Sequence, residues 1–380
     1  MKITHVETIH LRFEYAHGFT YAGGTCTGRL ASLIRVHTDE GAVGIGSVYS
    51  HPALVEIVVK QQLEPWLIGE DPTESWRLWE MMYGLTRWYG RKGAAMSALG
   101  AVDTALWDLK AQQADQPLWK LLGGSKGECP AYASALLWKS PEELAQEAQQ
   151  LIAQGFRRVK MRLGHLDERD LQAVRAVREA IGDEHDIMVD GSMRYTLESA
   201  RELAEFLEEQ QVFWFEEPFP PEEIALAGVL RQLVDIPLAA GENEFGLQGF
   251  CELVDAVDIL QPDASRCGGI TEMLRVAALA KEHELRIAPH SWCDAVAIVA
   301  NAHVVATIPH GVTVEVDKTG NPFVEELLTK PLSITNGLLR LSDAPGLGIE
   351  LNEDTIERHR IPDVFNIPNG VYSDMIFGRM

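Results

Sequence analysis

The 380-residue chain carries 33 basic and 56 acidic residues, a formal net charge of −23, and 46% of its residues are hydrophobic. That hydrophobic share belongs to a folded protein and excludes a disordered acidic chain; the length allows two or three domains, or one large barrel with an accessory piece. The negative surplus speaks against binding nucleic acid or an anionic membrane surface, because phosphates are held by clustered Lys and Arg.

An anionic substrate would therefore need its cations gathered locally. Met1 to Glu7 lacks the continuous apolar stretch of a signal peptide. No segment reaches the ~18 apolar residues of a membrane span. The longest candidate, 295–308, is interrupted by Asn301 and His303. Cys26, Cys129, Cys251, Cys267 and Cys293 are scattered and form no C-x-x-C pair, which points to free thiols and a cytoplasmic protein.

In chain order, residues 1 to about 60 read as strands. Segments 4–13 and 31–37 alternate apolar and polar residues, and Asp39-Glu40-Gly41 is a hairpin turn into 43–48. Between the first two strands, 14–29 reads as a loop rich in Gly, Thr and Tyr. Asp71-Pro72 starts a helix with Trp76, Trp79 and Met82 on one stripe, and Met96, Leu99, Val102, Leu106 and Leu109 mark a second. Gly123-Gly124 ends this α+β module, placed at 1–125.

From Pro130 the rhythm becomes short apolar runs, each followed by a helical segment. The runs are 131–138, 158–162, 187–190, 212–216, 237–242, 259–263, 286–290 and 311–315. Ser140-Pro141-Glu142-Glu143 is a capping box, and Thr196 and Asp294 can cap two further helices. Eight strand–helix alternations predict an α/β fold of the (β/α)8-barrel type over 126–350, with a doubly wound sheet as the lesser alternative. Segment 351–380 is expected to return to the first module.

A polar residue closes most of these runs: Lys160 and Arg162, then Asp190, Glu216, Glu242, Asp263, His290 and Glu315. The last six follow one another at intervals of 26, 26, 21, 27 and 25 residues, one βα unit each. In a barrel those strand ends meet at one mouth. Asp190, Glu216 and Glu242 then form a hard oxygen ligand set suited to Mg²⁺, with Mn²⁺ next. Taken singly, each acid could equally cap a helix or pair with a cation. Glu217 keeps a supporting role, or an exchange with Glu216, open.

Lys160 and Arg162, at i and i+2 of one strand, share its inward face. Each disfavours charging the other, so a lowered Lys160 pKa is expected. The pair could act as base or acid, clamp an anion, or simply meet a neighbouring carboxylate. Asp263 can fix the His290 tautomer and leave the other ring nitrogen for proton transfer. Glu315 closes the circle. In so acidic a site it can stay protonated and donate a hydrogen bond, or form a strand-end salt bridge.

These residues resemble the enolase superfamily, and within it the mandelate racemase subgroup, across nearly the whole chain. The resemblance is carried by Val159-Lys160-Met161-Arg162, Val189-Asp190, Glu216-Glu217-Pro218, Gly241-Glu242-Asn243, Pro262-Asp263 with Gly268-Gly269, Pro289-His290 and Glu315. Ala101-Val102-Asp103-Thr104-Ala105-Leu106-Trp107-Asp108 and Pro345-Gly346-Leu347-Gly348 add to it. It implies a TIM-like modified barrel under an N-terminal cap completed by the tail, with Mg²⁺ on Asp190, Glu216 and Glu242. Lys160 and Arg162 would face one side of the substrate and the His290–Asp263 dyad the other, with Glu315 as the electrophilic acid.

Two departures shape the expected activity. Arg162 stands where the family often has a lysine base, and arginine is nearly always charged. Ser192 stands where the family often has Asn, and is a candidate substrate contact. A racemase needs proton carriers on both faces; a dehydratase manages with His290 alone. The segment Trp88-Tyr89-Gly90-Arg91-Lys92-Gly93 also resembles acid-sugar dehydratases. The expected activity is Mg²⁺-dependent dehydration of an aldonate or aldarate, through an enediolate, to a 2-keto-3-deoxy acid.

A 2-hydroxy-acid racemase or epimerase is the alternative. A lactonising cycloisomerase is less favoured, since that subgroup carries lysine at the place of His290. An inactive ligand-binding barrel lies furthest from the residues. Specificity is expected from the 14–29 loop and the Tyr49-Ser50-His51 turn, with His17, Tyr21, Arg29 and His51 as candidate contacts. The expected partners are a small-molecule carboxylate and further copies of the chain in a homo-oligomer.

Overall fold

The computed structural model describes residues 1–21 and 24–367. The N-terminal sheet is antiparallel in the order β1 (Ile3–Tyr21), β2 (Gly24–Thr38), β3 (Val43–Val48). The expected 14–29 loop is instead the outer half of the β1–β2 hairpin. Phe19, Thr20 and Tyr21 pair with Cys26, Thr25 and Gly24, past a register shift between Glu14 and Phe19. Its aromatic and β-branched residues favour pleated pairing, and a bulge twists the ribbon without ending it.

Strands stop at Val48, short of the expected 60. His51 Nδ1 accepts from Ala53 N (3.3 Å), Pro52 takes the first helical position, and helical structure runs from Pro52 to Leu67. Val55, Val59, Leu63 and Leu67, spaced by four, bury one face of it. Helices Ser75–Thr86 and Ala94–Gln113 follow. The second packs against β3 at such close range that a Cβ on Gly44 or Gly46 would collide with the backbone of Ala105 or Ala101.

Eight parallel strands form the second unit: β4 (Glu128–Ser134), β5 (Arg158–Arg162), β6 (Asp186–Asp190), β7 (Trp214–Glu216), β8 (Leu238–Ala240), β9 (Ile259–Leu260), β10 (Arg286–Ile287) and β11 (Val314–Asp317). Each pairs with the next from β4 to β10, and β11 pairs with β4. The β10 to β11 seam is carried by one parallel bridge, Ile287 to Gly311, with Val312 N donating to Ile287 O at 2.7 Å. The result is a (β/α)8-type barrel. Its interior is filled by Tyr132, Met188, Trp214, Ala239, Ile259 and Ala288.

Helix starts follow local chemistry. Ser140 and Glu143 form a reciprocal capping box, Thr196 accepts from Ser199 N, and Asp294 accepts from Val296 N and Ala297 N. Cap and barrel are joined by buried polar contacts. Asp103 accepts from Thr271 N (2.8 Å) and Oγ1 (2.7 Å), and Trp79 Nε1 donates to Gly268 O (2.7 Å). Strands β12 (Ile334–Thr335) and β13 (Leu338–Arg340) extend the sheet, β13 antiparallel to β4. Beyond helix Glu353–His359, Ile361 N donates to His10 O (2.8 Å) on β1. The last part of the 351–380 segment, 368–380, lies outside the described residues. Among the described residues no helix is long and apolar enough to cross a membrane.

Candidate active site

The polar residues that close the strand runs meet at one end of the barrel. Asp190 and Glu216 end β6 and β7, and Glu242 follows β8 by two residues. Each offers a carboxylate oxygen within 4.8 Å of the others. Glu216 Oε2 accepts from Trp214 Nε1 (3.0 Å), Asp190 Oδ1 from Ser192 N (2.7 Å), and Glu242 Oε2 is buried without a hydrogen-bond partner among the described residues. Burial and the neighbouring carboxylates push Glu216 up to about 8 against the pull of Lys160. An orphaned acid oxygen among mutually repelling carboxylates, with no Cys or His in the set, fits a hard dication, and Mg²⁺ is the one such a set takes. Glu217 turns away to accept from Asn243 Nδ2 (2.8 Å), at a positive φ of 36°.

Lys160 and Arg162 do share the inward face, but each meets an acid. Lys160 Nζ lies 2.6 Å from Glu216 Oε1 and 3.0 Å from Glu315 Oε1, and Arg162 pairs with Asp190. The expected lowering of the Lys160 pKa is overturned. Burial works against its charge, but Glu216 and Glu315 outweigh both burial and Arg162 and hold it well above the ordinary value. The expectation of a protonated Glu315 falls with it. Burial favours the acid form, yet Lys160, His290 and Arg162 keep this carboxyl well below its usual range. Ser291 N donates to its Oε2 (2.9 Å), so the group stands as a charged acceptor.

His290 Nδ1 and Asp263 Oδ2 are 2.8 Å apart, in the arrangement that aims Nε2 at the centre. Nε2 lies 3.9 Å from both Glu242 Oε2 and Glu315 Oε2, too far to hydrogen-bond either. Glu242, Glu315 and Asp263 raise the His290 pKa against the burial that lowers it.

The dyad has supports that the spacing argument did not identify. Asp263 Oδ1 accepts from Ser265 N and Oγ (both 2.8 Å) and from Asn301 Nδ2 (3.0 Å), and the Tyr49 ring stacks on the imidazole at 5.7 Å. Asn301 could have been noticed: a buried amide interrupting an apolar helix needs a polar partner.

The candidate cap contacts divide. Tyr21 lies edge-on to Trp292 (5.3 Å), under the Arg162 guanidinium (5.6 Å). Arg29 is buried, paired with Asp317 at 2.8 Å and stacked 4.0 Å over Trp292. His51 caps its helix, His17 is exposed on β1, and Ser192 steadies Asp190.

Family models match both units. Residues 143–355 match the enolase C-terminal domain-like family, and residues 4–123 match the mandelate racemase / muconate lactonizing enzyme N-terminal domain. The chain belongs to the enolase superfamily, in its mandelate racemase group. Among members of the group, it is 36% identical over 378 residues to D-galactarolactone cycloisomerase of Agrobacterium fabrum, covering 96% of this chain and 100% of that one. It is 32% identical over 333 residues to arabinonate dehydratase of Saccharolobus solfataricus, covering 86% and 89%. Among solved structures, a Streptomyces coelicolor racemase with bound magnesium superposes with a TM-score of 0.88 at 30% identity, over 94% of this chain and 100% of that one.

Proposed function

We propose that this enzyme is a Mg²⁺-dependent acid-sugar dehydratase that converts an aldonate or aldarate into a 2-keto-3-deoxy acid. One asymmetry carries the reading. Of the groups able to carry a proton, His290 alone among the described residues presents an unengaged nitrogen to the centre, while Arg162 is fixed to Asp190 and Lys160 is held between Glu216 and Glu315. A reaction that runs its proton transfers from one face suits this arrangement better than racemisation, which needs a carrier on each.

In this reading Asp190, Glu216 and Glu242 hold the cofactor. When bound, Mg²⁺ supplies a Lewis acid that offsets the charge growing on the substrate carboxylate as the α-proton leaves. Asp263 keeps Nδ1 of His290 as the donor, so Nε2 takes that proton. The released electron pair forms the Cα–Cβ double bond as the Cβ–O bond breaks. His290 then returns the proton to the departing hydroxyl, which leaves as water, and the enol collapses to the keto acid. Lys160 and Arg162 bind the carboxylate end from the opposite side, and the dry walls of Trp214, Tyr49 and Trp292 strengthen each of these interactions.

The resemblance to a galactarolactone cycloisomerase over its whole length favours a second reading, in which the substrate is a sugar-acid lactone and its isomer is the product. Incubation with a panel of aldonates, aldarates and their lactones, read by product mass, separates the two. A keto acid lighter by one water supports the dehydratase, and an isomer of unchanged mass supports the cycloisomerase. Exchange with inversion in D₂O and no keto product would favour a racemase instead.

A further inference from the structure

Two buried donors beside the centre, Arg29 Nη1 and Trp292 Nε1, find no acceptor among the described residues. Arg29 spends Nη2 on Asp317 Oδ2 (2.8 Å) and Thr319 Oγ1 (2.7 Å) and Nε on Tyr15 Oη (3.1 Å), while Nη1 has no partner. Trp292 Nε1 has none either. The two side chains are 2% and 3% exposed and stack on each other at 4.0 Å. Arg162, which grips the metal ligand Asp190, lies 4.9 Å from the centre of the same indole ring, and Trp292 follows His290 by two residues. A third orphaned buried atom, Glu242 Oε2, belongs to the centre itself.

Resting on the acid-sugar reading of this centre, we propose that Arg29 and Trp292 form the subsite for the far end of the substrate. We further infer that this end is oxidised, a carboxylate or a lactone carbonyl and not a hydroxymethyl group. A guanidinium and an indole donate and cannot accept, so the atom that satisfies both is an oxygen needing no acceptor in return. A hydroxyl there would need an acceptor. The adjoining carboxylate, Asp317, already receives Arg29, Asn321 Nδ2 (3.0 Å), Thr319 N (2.9 Å) and Thr319 Oγ1 (2.6 Å). Because Asp317 balances the charge of Arg29, an uncharged lactone carbonyl fits as well as a carboxylate does. Leaving a buried donor unsatisfied is costly, and two on one stacked pair mark a place built for a ligand.

The test uses Mg²⁺-loaded, full-length enzyme and three acids of one chain length and configuration: the aldonate, the aldarate and the aldarolactone. Wild type and Trp292→Phe are compared, since Phe keeps the stacking ring and removes only the N–H. Wild type should prefer one or both oxidised acids to the aldonate by about ten- to a hundredfold in kcat/KM. Trp292→Phe should cut that preference by roughly tenfold, through a KM that rises more for the oxidised acids than for the aldonate. The same ranking should appear as ligand-induced shifts in melting temperature, which read binding without turnover. Equal treatment of the three acids by wild type, or an equal loss on all three in Trp292→Phe, overturns the subsite. Should none of the acids turn over, the dehydratase reading fails, and the melting shifts still decide the subsite.

Discussion

Asn301 offers the sharpest test of how the dyad is held. Its Nδ2 lies within 3.0 Å of Asp263 Oδ1 and His290 O and 2.9 Å of Ser291 Oγ, and its Oδ1 accepts from Ala264 N (2.9 Å), all fully buried. Asn301→Ala leaves the Ala264 N–H and the His290 carbonyl without this partner, at ~1–3 kcal/mol for each buried group, and opens a small cavity. We expect a loss of about 3–5 kcal/mol, which a domain of ordinary stability survives with a lowered melting temperature. Asp263 keeps its two contacts from Ser265, so the dyad should persist with the carboxylate less firmly aimed. Misplacement of that kind costs up to ~100-fold in rate, so kcat should fall about ten- to a hundredfold with KM little changed. Asn301→Asp, of the same shape but setting a carboxylate against Asp263, should be worse than Ala in kcat. Steady-state kinetics and thermal melts on both variants give the answer. Wild-type kcat in Asn301→Ala, at whatever stability, would refute the claim that Asn301 aims the dyad.

Lys160→Met should leave Glu216 and Glu315 buried without their cation, destabilising the metal-free protein by about 3–5 kcal/mol. Added Mg²⁺ should recover more of the melting temperature in the variant than in wild type, and an equal Mg²⁺ response would count against a shared site. His303 Nδ1 accepts from Trp119 N (2.9 Å), and burial holds the imidazole down to about 4 from an ordinary 6.5. The unfolded chain therefore binds the proton more readily, so this contribution is whole above pH 6.5 and is lost as pH falls toward 4, at up to ~1.4 kcal/mol per pH unit. Denaturant unfolding of wild type and His303→Gln between those limits should show that slope only in wild type.

The barrel and the meeting of Asp190, Glu216 and Glu242 in one acidic cluster are legible because both depend on spacing along the chain. Apolar runs recur once per βα unit, and Asp190, Glu216 and Glu242 close theirs in the same register, so topology alone brings them together. Properties set by side-chain reach were not legible. The charge states of Lys160 and Glu315 depend on a 3.0 Å contact between residues 155 positions apart, and the i, i+2 spacing with Arg162 pointed the other way. In the outer part of the β1–β2 hairpin, glycines at 18 and 28 mask a ribbon whose aromatics, Phe13, Tyr15, Phe19 and Tyr21, line one strand and pack along it. Asn301 and His303 registered only as breaks in an apolar run. Their burial against partners distant in sequence gives them their meaning.

The most direct test of the central claim compares wild-type enzyme with His290→Asn, both loaded with Mg²⁺, on whichever acid sugar the panel shows to be a substrate. The assay follows 2-keto-3-deoxy acid. The one-face mechanism predicts that the variant stays folded, keeps its Mg²⁺ response in thermal melts, and loses product formation by at least ~10²-fold. Dehydration by His290→Asn at the wild-type rate would contradict it.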